Sequence, residues 1–194
     1  MAMMDCAAVS SLMSVGDSTA VGIEDLDSVL RLYRPKVFRF ILASLRDKDA
    51  AETLTQDCFF KAYQARDRFR QECSLDTWLM QIAVNLVRDY SRNRRLQFWK
   101  RTQVLAKPVE GVQDWLPNGQ HSPEAAALLK EEVQAIWEAA DRLPEKQRTV
   151  FLLRFVEDMD LLEIATATGM KEGTVKSHLF RALQAVRERM GARI

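Results

Sequence analysis

The sequence predicts an all-α protein: two small helical domains joined by a flexible linker. Three observations predict it. Apolar residues recur at three-and-four spacing through most of the chain, and no stretch alternates as a strand would. Proline and glycine are scarce, five and seven, and several gather at residues 108–123 between two periodic stretches. A length of 194 residues leaves room for two small cores. Hydrophobic residues at 47% and charged residues at 28% are near average, which excludes a disordered chain, a collagen-like repeat and a disulfide scaffold.

The elements follow in order. Residues 1–22 contain no Lys or Arg, so they lack the positive start of a signal peptide and are expected to be a flexible extension. A first domain is expected at 23–101. Leu26, Val29, Leu30, Tyr33, Val37, Phe38, Ile41, Leu42 and Leu45 mark one helical stripe. Pro35 must kink it or begin a second helix, because it removes a backbone donor. Asp47 or Asp49 can cap the next helix, whose buried stripe is Leu54, Cys58, Phe59, Ala62 and Tyr63. A polar loop, Arg66 to Cys73, follows. Ser74 then caps a long helix with Trp78, Ile82, Leu86 and Val87 inward. Pro108, Gly111, Pro117, Asn118, Gly119 and Pro123 define a linker at 102–123. Ser122-Pro123, a cap followed by proline at the first helical position, opens a second domain at 124–190.

The second domain carries the sharpest motif. Asp160 to Thr168 is a short amphipathic segment ending at Gly169, the residue most tolerant of a left-handed turn. After Met170 and Lys171 a second segment starts at Glu172. Ile164, Ala165, Met170, Val175, Leu179 and Leu183 can form the core of a helix-turn-helix. Lys171, Thr174, Lys176, Ser177, His178 and Arg181 are left for DNA, since Lys and Arg reach guanine edges or phosphates and hydroxyls bond bases or backbone. An ordinary helical hairpin would explain a polar face equally well, but not the turn pattern.

Net charge at first opposes nucleic-acid binding: 28 Lys plus Arg against 27 Asp plus Glu gives +1. The sum conceals an uneven distribution. Residues 171–194 hold six basic side chains against two acids, whereas 125–170 hold five against nine. Residues 85–101 hold six against one, beside Trp78, Tyr90, Phe98 and Trp99. Basic residues among aromatics suit single-stranded nucleic acid, where phosphates meet charge and bases stack on rings. Trp78 reads as core; Tyr90, Phe98 and Trp99 are open to either reading.

Several classes are excluded. Cys6, Cys58 and Cys73 form no CxxC pair, and with only His121 and His178 no metal site is expected. No cofactor is expected: there is no phosphate-cradling glycine loop, HExxH or nucleophile elbow, so the chain is expected not to be an enzyme. No run of about 18 apolar residues occurs, so no membrane insertion is expected and the chain reads as cytoplasmic.

Leu54-Thr55-Gln56-Asp57-Cys58-Phe59, Phe69-Arg70, Thr77-Trp78-Leu79 and Ile82-Ala83-Val84-Asn85 resemble the second conserved region of bacterial sigma factors. Leu143-Pro144-Glu145-Lys146-Gln147-Arg148, Leu153-Arg154, Glu163-Ile164-Ala165 and Gly173-Thr174-Val175-Lys176-Ser177 resemble the fourth. Two regions, a short linker and no other domain resemble the extracytoplasmic-function (ECF, group IV) subfamily of the sigma-70 family. The resemblance implies an alternative sigma factor that binds core RNA polymerase, recognises promoter DNA at two elements and promotes melting. It implies polymerase contacts to the largest-subunit clamp helices and the flap, the former through Leu54, Gln56, Asp57 and Phe60. It implies capture of an unstacked minus-ten base by Phe69, Arg70, Asn85, Arg88, Arg92, Arg94 and Arg95, and duplex reading of the minus-thirty-five element by the helix after Gly169. It also implies an anti-sigma factor as regulator. This chain departs from the family pattern at Ala50 and Thr53, where acids are usual, at Gln71 for glycine, at Leu162 for an acid and at His178 for arginine.

The competing reading is a helix-turn-helix regulator of the response-regulator or quorum type, in which Thr174-Val175-Lys176-Ser177-His178-Leu179 is equally at home. Such proteins place an α/β receiver or ligand-binding domain in front, and residues 23–100 have no strands ending in clustered acids.

Overall fold

Leu26–Leu45 forms α1, and its apolar stripe turns Val29, Val37, Phe40, Ile41 and Leu42 into the interior. The structure is a computed structural model that describes residues 26–98 and 133–191, with side chains from 27 to 94 in the first segment. The extension at 1–22, the linker at 102–123 and the Ser122-Pro123 helix start lie outside the described residues. Pro35 neither ends α1 nor begins another helix; the helix runs through it. Its position explains the tolerance: Arg31 and Pro35 are both exposed, so the carbonyl that loses its helical donor faces water.

Arg46 takes a left-handed conformation, φ 55°, and Asp47 starts the next helix. Asp47, not Asp49, is the cap of α2 (Lys48–Gln64), its carboxylate accepting from the Ala50 amide at 3.0 Å. Leu54, Cys58, Phe59 and Ala62 are buried as expected, but Tyr63 lies at the outer edge of the stripe and is exposed beneath the Arg66 guanidinium. A single 3-10 turn, Arg66–Arg68, lies within the expected loop. Ser74 caps α3 (Leu75–Phe98) by accepting from the Thr77 amide at 3.1 Å. Helices α1, α2 and α3 pack mutually into one bundle.

In the second segment, residues 133–141 form α4, followed by α5 (Glu145–Phe155), α6 (Leu161–Thr168) and α7 (Glu172–Gly191). Asp160 and Glu163 make a reciprocal capping box, each side chain bonding the other's backbone amide, which fixes the start of α6. Gly169 ends α6 at φ 70°, a conformation in which a Cβ is strained, and the chain turns into α7 within three residues.

The two bundles also pack on each other, α1 against α5 and α3 against α6, so that their buried apolar residues form one connected cluster. Polar groups line this seam. The Arg39 guanidinium on α1 donates twice to Glu157, just beyond α5, at 3.0 and 2.6 Å. The Glu157 side chain is 0% exposed. Burial pushes its carboxyl above the ordinary range, and the bonds from Arg39 oppose that shift. Arg148 on α5 donates to the Ala43 carbonyl of α1 at 2.6 Å. Arg46 and Arg148 share one Asp141 oxygen at 3.1 and 2.9 Å, and Arg46 lies over the Trp137 ring.

Candidate nucleic-acid interface

The helix-turn-helix is α6 and α7. Ile164, Ala165 and Val175 are buried between them, with Met170, Leu179 and Leu183 packed at the margin. One turn of α7 begins at Lys171, whose carbonyl accepts from the Thr174 and Val175 amides. With Val175, Ala182 and Val186 inward, the opposite face presents Thr174, Lys176, Ser177 and Arg181, all exposed, beside exposed Lys171. Lys176 pairs with Glu172 at 2.6 Å across a helical turn, and the Ser177 hydroxyl donates to the Gly173 carbonyl at 2.9 Å. Both contacts are at the surface and exchange readily for a ligand.

His178 differs from its neighbours. It is half-buried, and its Nδ1 is enclosed with no hydrogen-bond partner among the described residues. Partial burial, followed by the charges of Arg181 and Lys146, depresses its pKa, so the ring is neutral at pH 7. It presents a hydrogen-bonding edge to its surroundings and no charge.

Sequence reasoning missed Phe180. At 70% exposure it stands on the outward face with Ser177, and an apolar ring there suits contact with a thymine methyl. Its mismatch with the buried stripe was the available signal. Leu162 is also exposed, at the start of α6.

On the first bundle, α3 carries Asn85, Arg88 and Arg92 along one exposed face, with exposed Arg94 on the opposite side of the helix; Arg95 is on the same helix with its side chain outside the described set. Arg88 donates to Asn85 at 2.6 Å and Arg92 pairs with Asp89 at 3.3 Å. The first turn of α3 holds Asp76, which pairs with Lys36 of α1. In the loop before α3 Arg70 is exposed, whereas Phe69 is half-buried against Trp78, ring centroids 5.0 Å apart. Phe69 thus anchors the loop. Trp78 is half-buried and Tyr90 likewise; the side chains of Phe98 and Trp99 lie outside the described residues. Gln71 has φ 56°, the conformation for which glycine is best suited.

On α2 the expected partner face divides. Gln56, Asp57 and Phe60 are exposed, Phe60 at 62%, whereas Leu54 is buried in the bundle. Leu54 falls on the inward stripe with Cys58. Phe60, Tyr63 and Leu32 are large apolar side chains left outside. Cys58 is buried, its thiol pushed up to about 12 and donating to the Leu79 carbonyl, which makes it unreactive. Among the described residues no cluster of metal-ligating side chains occurs, and no helix is long and apolar enough to cross a membrane.

A DNA-binding helix-turn-helix joined to a second, basic helical bundle defines a class of two-domain nucleic-acid-binding proteins. Comparison with known proteins makes the class specific. Residues 29–97 match the family model described as Sigma-70 region 2, and residues 133–186 match Sigma-70, region 4. The chain is 33% identical over 163 residues to the RNA polymerase sigma-H factor of Pseudomonas aeruginosa, covering 82% of this chain and 83% of that one. It is 31% identical over 158 residues to the ECF RNA polymerase sigma-E factor of Escherichia coli K12, covering 79% and 80%. Among solved structures, the fold is similar to the sigma factor RpoE of Bartonella quintana in complex with the anti-sigma factor NepR: TM-score 0.69, 24% identity, 87% and 98% coverage. It is also similar to CnrH in complex with the cytosolic domain of CnrY: TM-score 0.62, 18% identity, 89% and 92% coverage. The chain belongs to the extracytoplasmic-function sigma factors of the sigma-70 family. A region 2 match over 29–97 occupies the place where a response regulator would carry its receiver.

Proposed function

We propose that this chain directs core RNA polymerase to promoters through two separate DNA contacts, α7 on upstream duplex and the loop and face of α3 on the melted minus-ten strand. The observation that carries the reading is the exposed set on α7 and just before it, Lys171, Thr174, Lys176, Ser177 and Arg181, which follows the left-handed Gly169 turn as a recognition helix follows its turn. Phe180 joins that set, and His178 contributes as a neutral ring. Asn85, Arg88, Arg92 and Arg94, with Arg95 and Arg70, supply cationic and polar contacts to the single strand. Extruding a base costs a few kcal/mol, which such contacts and a loop pocket offset.

Gln56, Asp57 and Phe60 on α2 form the contact to the polymerase clamp helices, and the second domain meets the flap. The family assignment and the exposed Phe60 support this placement. The chain performs no catalysis itself; the polymerase makes the bonds. It works in the cytoplasm, where polymerase and promoter are. An anti-sigma factor is its regulator, as NepR is the partner of the similar RpoE.

The roles separate experimentally. Lys176→Ala or Arg181→Ala should weaken binding to a duplex selected with the full chain from random sequence by about 1–3 kcal/mol. Core-polymerase binding, measured on the same preparations, should stay intact. Loss of both would mean that these residues serve folding.

A further inference from the structure

We propose that Lys36 on α1 is a positioning residue for base capture: its ion pair with Asp76 fixes the first turn of α3 and, with it, the loop that receives the extruded base. The inference rests on the reading of that loop and the face of α3 as the minus-ten contact. Arg70, Gln71 and Glu72 in the loop are exposed. Phe69 stacks on Trp78, ring centroids 5.0 Å apart, and the Ser74 hydroxyl accepts from the Thr77 amide at 3.1 Å. The Ser74 and Thr77 hydroxyls bond each other at 2.8 Å, and Thr77 is buried. All three contacts lie within the loop and the first turn of α3, so they move with that turn and do not determine where it stands.

The Lys36–Asp76 pair ties that turn to another helix. Lys36 Nζ and the Asp76 carboxylate meet at 2.5 Å across 40 positions of sequence. The two side chains are only 26% and 22% exposed, so water and salt screen the pair less than one on the open surface. Tyr33, three residues before Lys36, is half-buried beside the pair; burial and then the Asp76 carboxylate push its phenol up, so it brings no competing charge. Asp76 keeps a favourable place without Lys36, because the helix dipole favours an acid in the first turn. Removing Lys36 therefore removes the tether and leaves the helix start.

Helix phase places Lys36 behind the strand-contacting face. Asn85 follows Asp76 by nine residues, and nine steps of about 100° put the two on opposite sides of α3. Trp78 precedes Asn85 by seven residues, close to two full turns, and so shares its side, with Phe69 stacked there. Helix α1, packed on α3, thus grips the turn from the back while the loop is carried at the front. Contacts that must meet an extruded base need a supporting shell that holds them to within about 0.5 Å. Lys36 supplies part of that shell and acts through Asp76, not on the strand.

The test uses the full chain assembled with core RNA polymerase and a fragment selected from random sequence, with upstream duplex and a pre-melted downstream strand. An abasic site is moved through the strand one position at a time, and the ratio of intact to abasic affinity is read at the most sensitive position. Wild type should show a several-fold ratio. Lys36→Met should bring it close to one, and Lys36→Arg, which keeps the charge, should retain it. Binding to the upstream duplex alone and far-UV circular dichroism should be unchanged. Hydrogen exchange in the polymerase-free chain adds a readout without DNA: loop amides at 69–74 should exchange several-fold faster in Lys36→Met. Should Lys36→Met lose helicity, Asp76→Asn carries the comparison, with the same loss of ratio expected. A folded variant that keeps the wild-type ratio, even at weaker binding throughout, would overturn the positioning role, as would unchanged loop exchange. A wild-type chain with no sensitive position would remove the strand-capture reading, and this proposal with it.

Discussion

Gln71 shows how one residue connects backbone conformation to function. The loop between α2 and α3 needs a left-handed residue at this point, φ 56°, and glycine is the side chain that supplies one without strain. Holding an L-residue there costs roughly 1–2 kcal/mol, against about 0.5–1 kcal/mol for the extra unfolded-state freedom of glycine. Gln71→Gly should therefore raise stability by about 0.5–1 kcal/mol in denaturant unfolding; a loss would show that the exposed Gln71 side chain makes a contact that offsets its strain. The same scale separates three basic side chains on α7. His178 is neutral through partial burial, Arg181 is exposed and charged, and Lys176 is shared with Glu172. Only the last two can release counterions on binding DNA.

At the scale of the element, the local devices were legible in the sequence. Asp160, Glu163 and Gly169 sit at spacings that fix both ends of a helix, and the structure uses them as cap, capping-box partner and left-handed stop. Ser74 works the same way for α3. Periodicity was less decisive at the margins of a stripe. Tyr63 and Leu54 both fit the apolar rhythm of α2, yet one is exposed and the other enclosed, because a 100° step places edge residues wherever the neighbouring helix ends. Pro35 was ambiguous for a related reason: its cost depends on whether the freed carbonyl meets water, a property of the packed bundle. Gly173 tests α7 as a reading element. It lies in the first turn with open space where a Cβ would stand, so the fold does not require glycine there. Gly173→Ala should stabilise the chain by up to about 1 kcal/mol in thermal or denaturant unfolding. It should also weaken duplex binding by inserting a methyl where backbone approaches phosphate; equal affinity would remove Gly173 from the DNA face.

At the scale of the whole molecule, the near-zero net charge is a sum over opposed segments. The described parts of the basic stretches at 85–101 and 171–194 lie in different bundles, and Asp141 and Glu157 of the acidic 125–170 stretch sit at the seam between them. Pairing between elements more than sixty residues apart leaves no local sequence signature, so Arg39–Glu157, Arg148–Ala43 and the α3–α6 packing could be found only in the folded chain. Removing one partner of a buried ion pair costs about 3–5 kcal/mol when the remaining charge stays enclosed, a figure that reflects the stranded charge and not the worth of the pair. The central claim nonetheless concerns what the two faces do together. Run-off transcription with purified core RNA polymerase, on a promoter selected with the full chain, tests it most directly. The account predicts specific transcripts that require both the chain and the promoter and that fall sharply for Lys176→Ala or Arg181→Ala. Tight promoter binding with no transcript above core enzyme alone would contradict it.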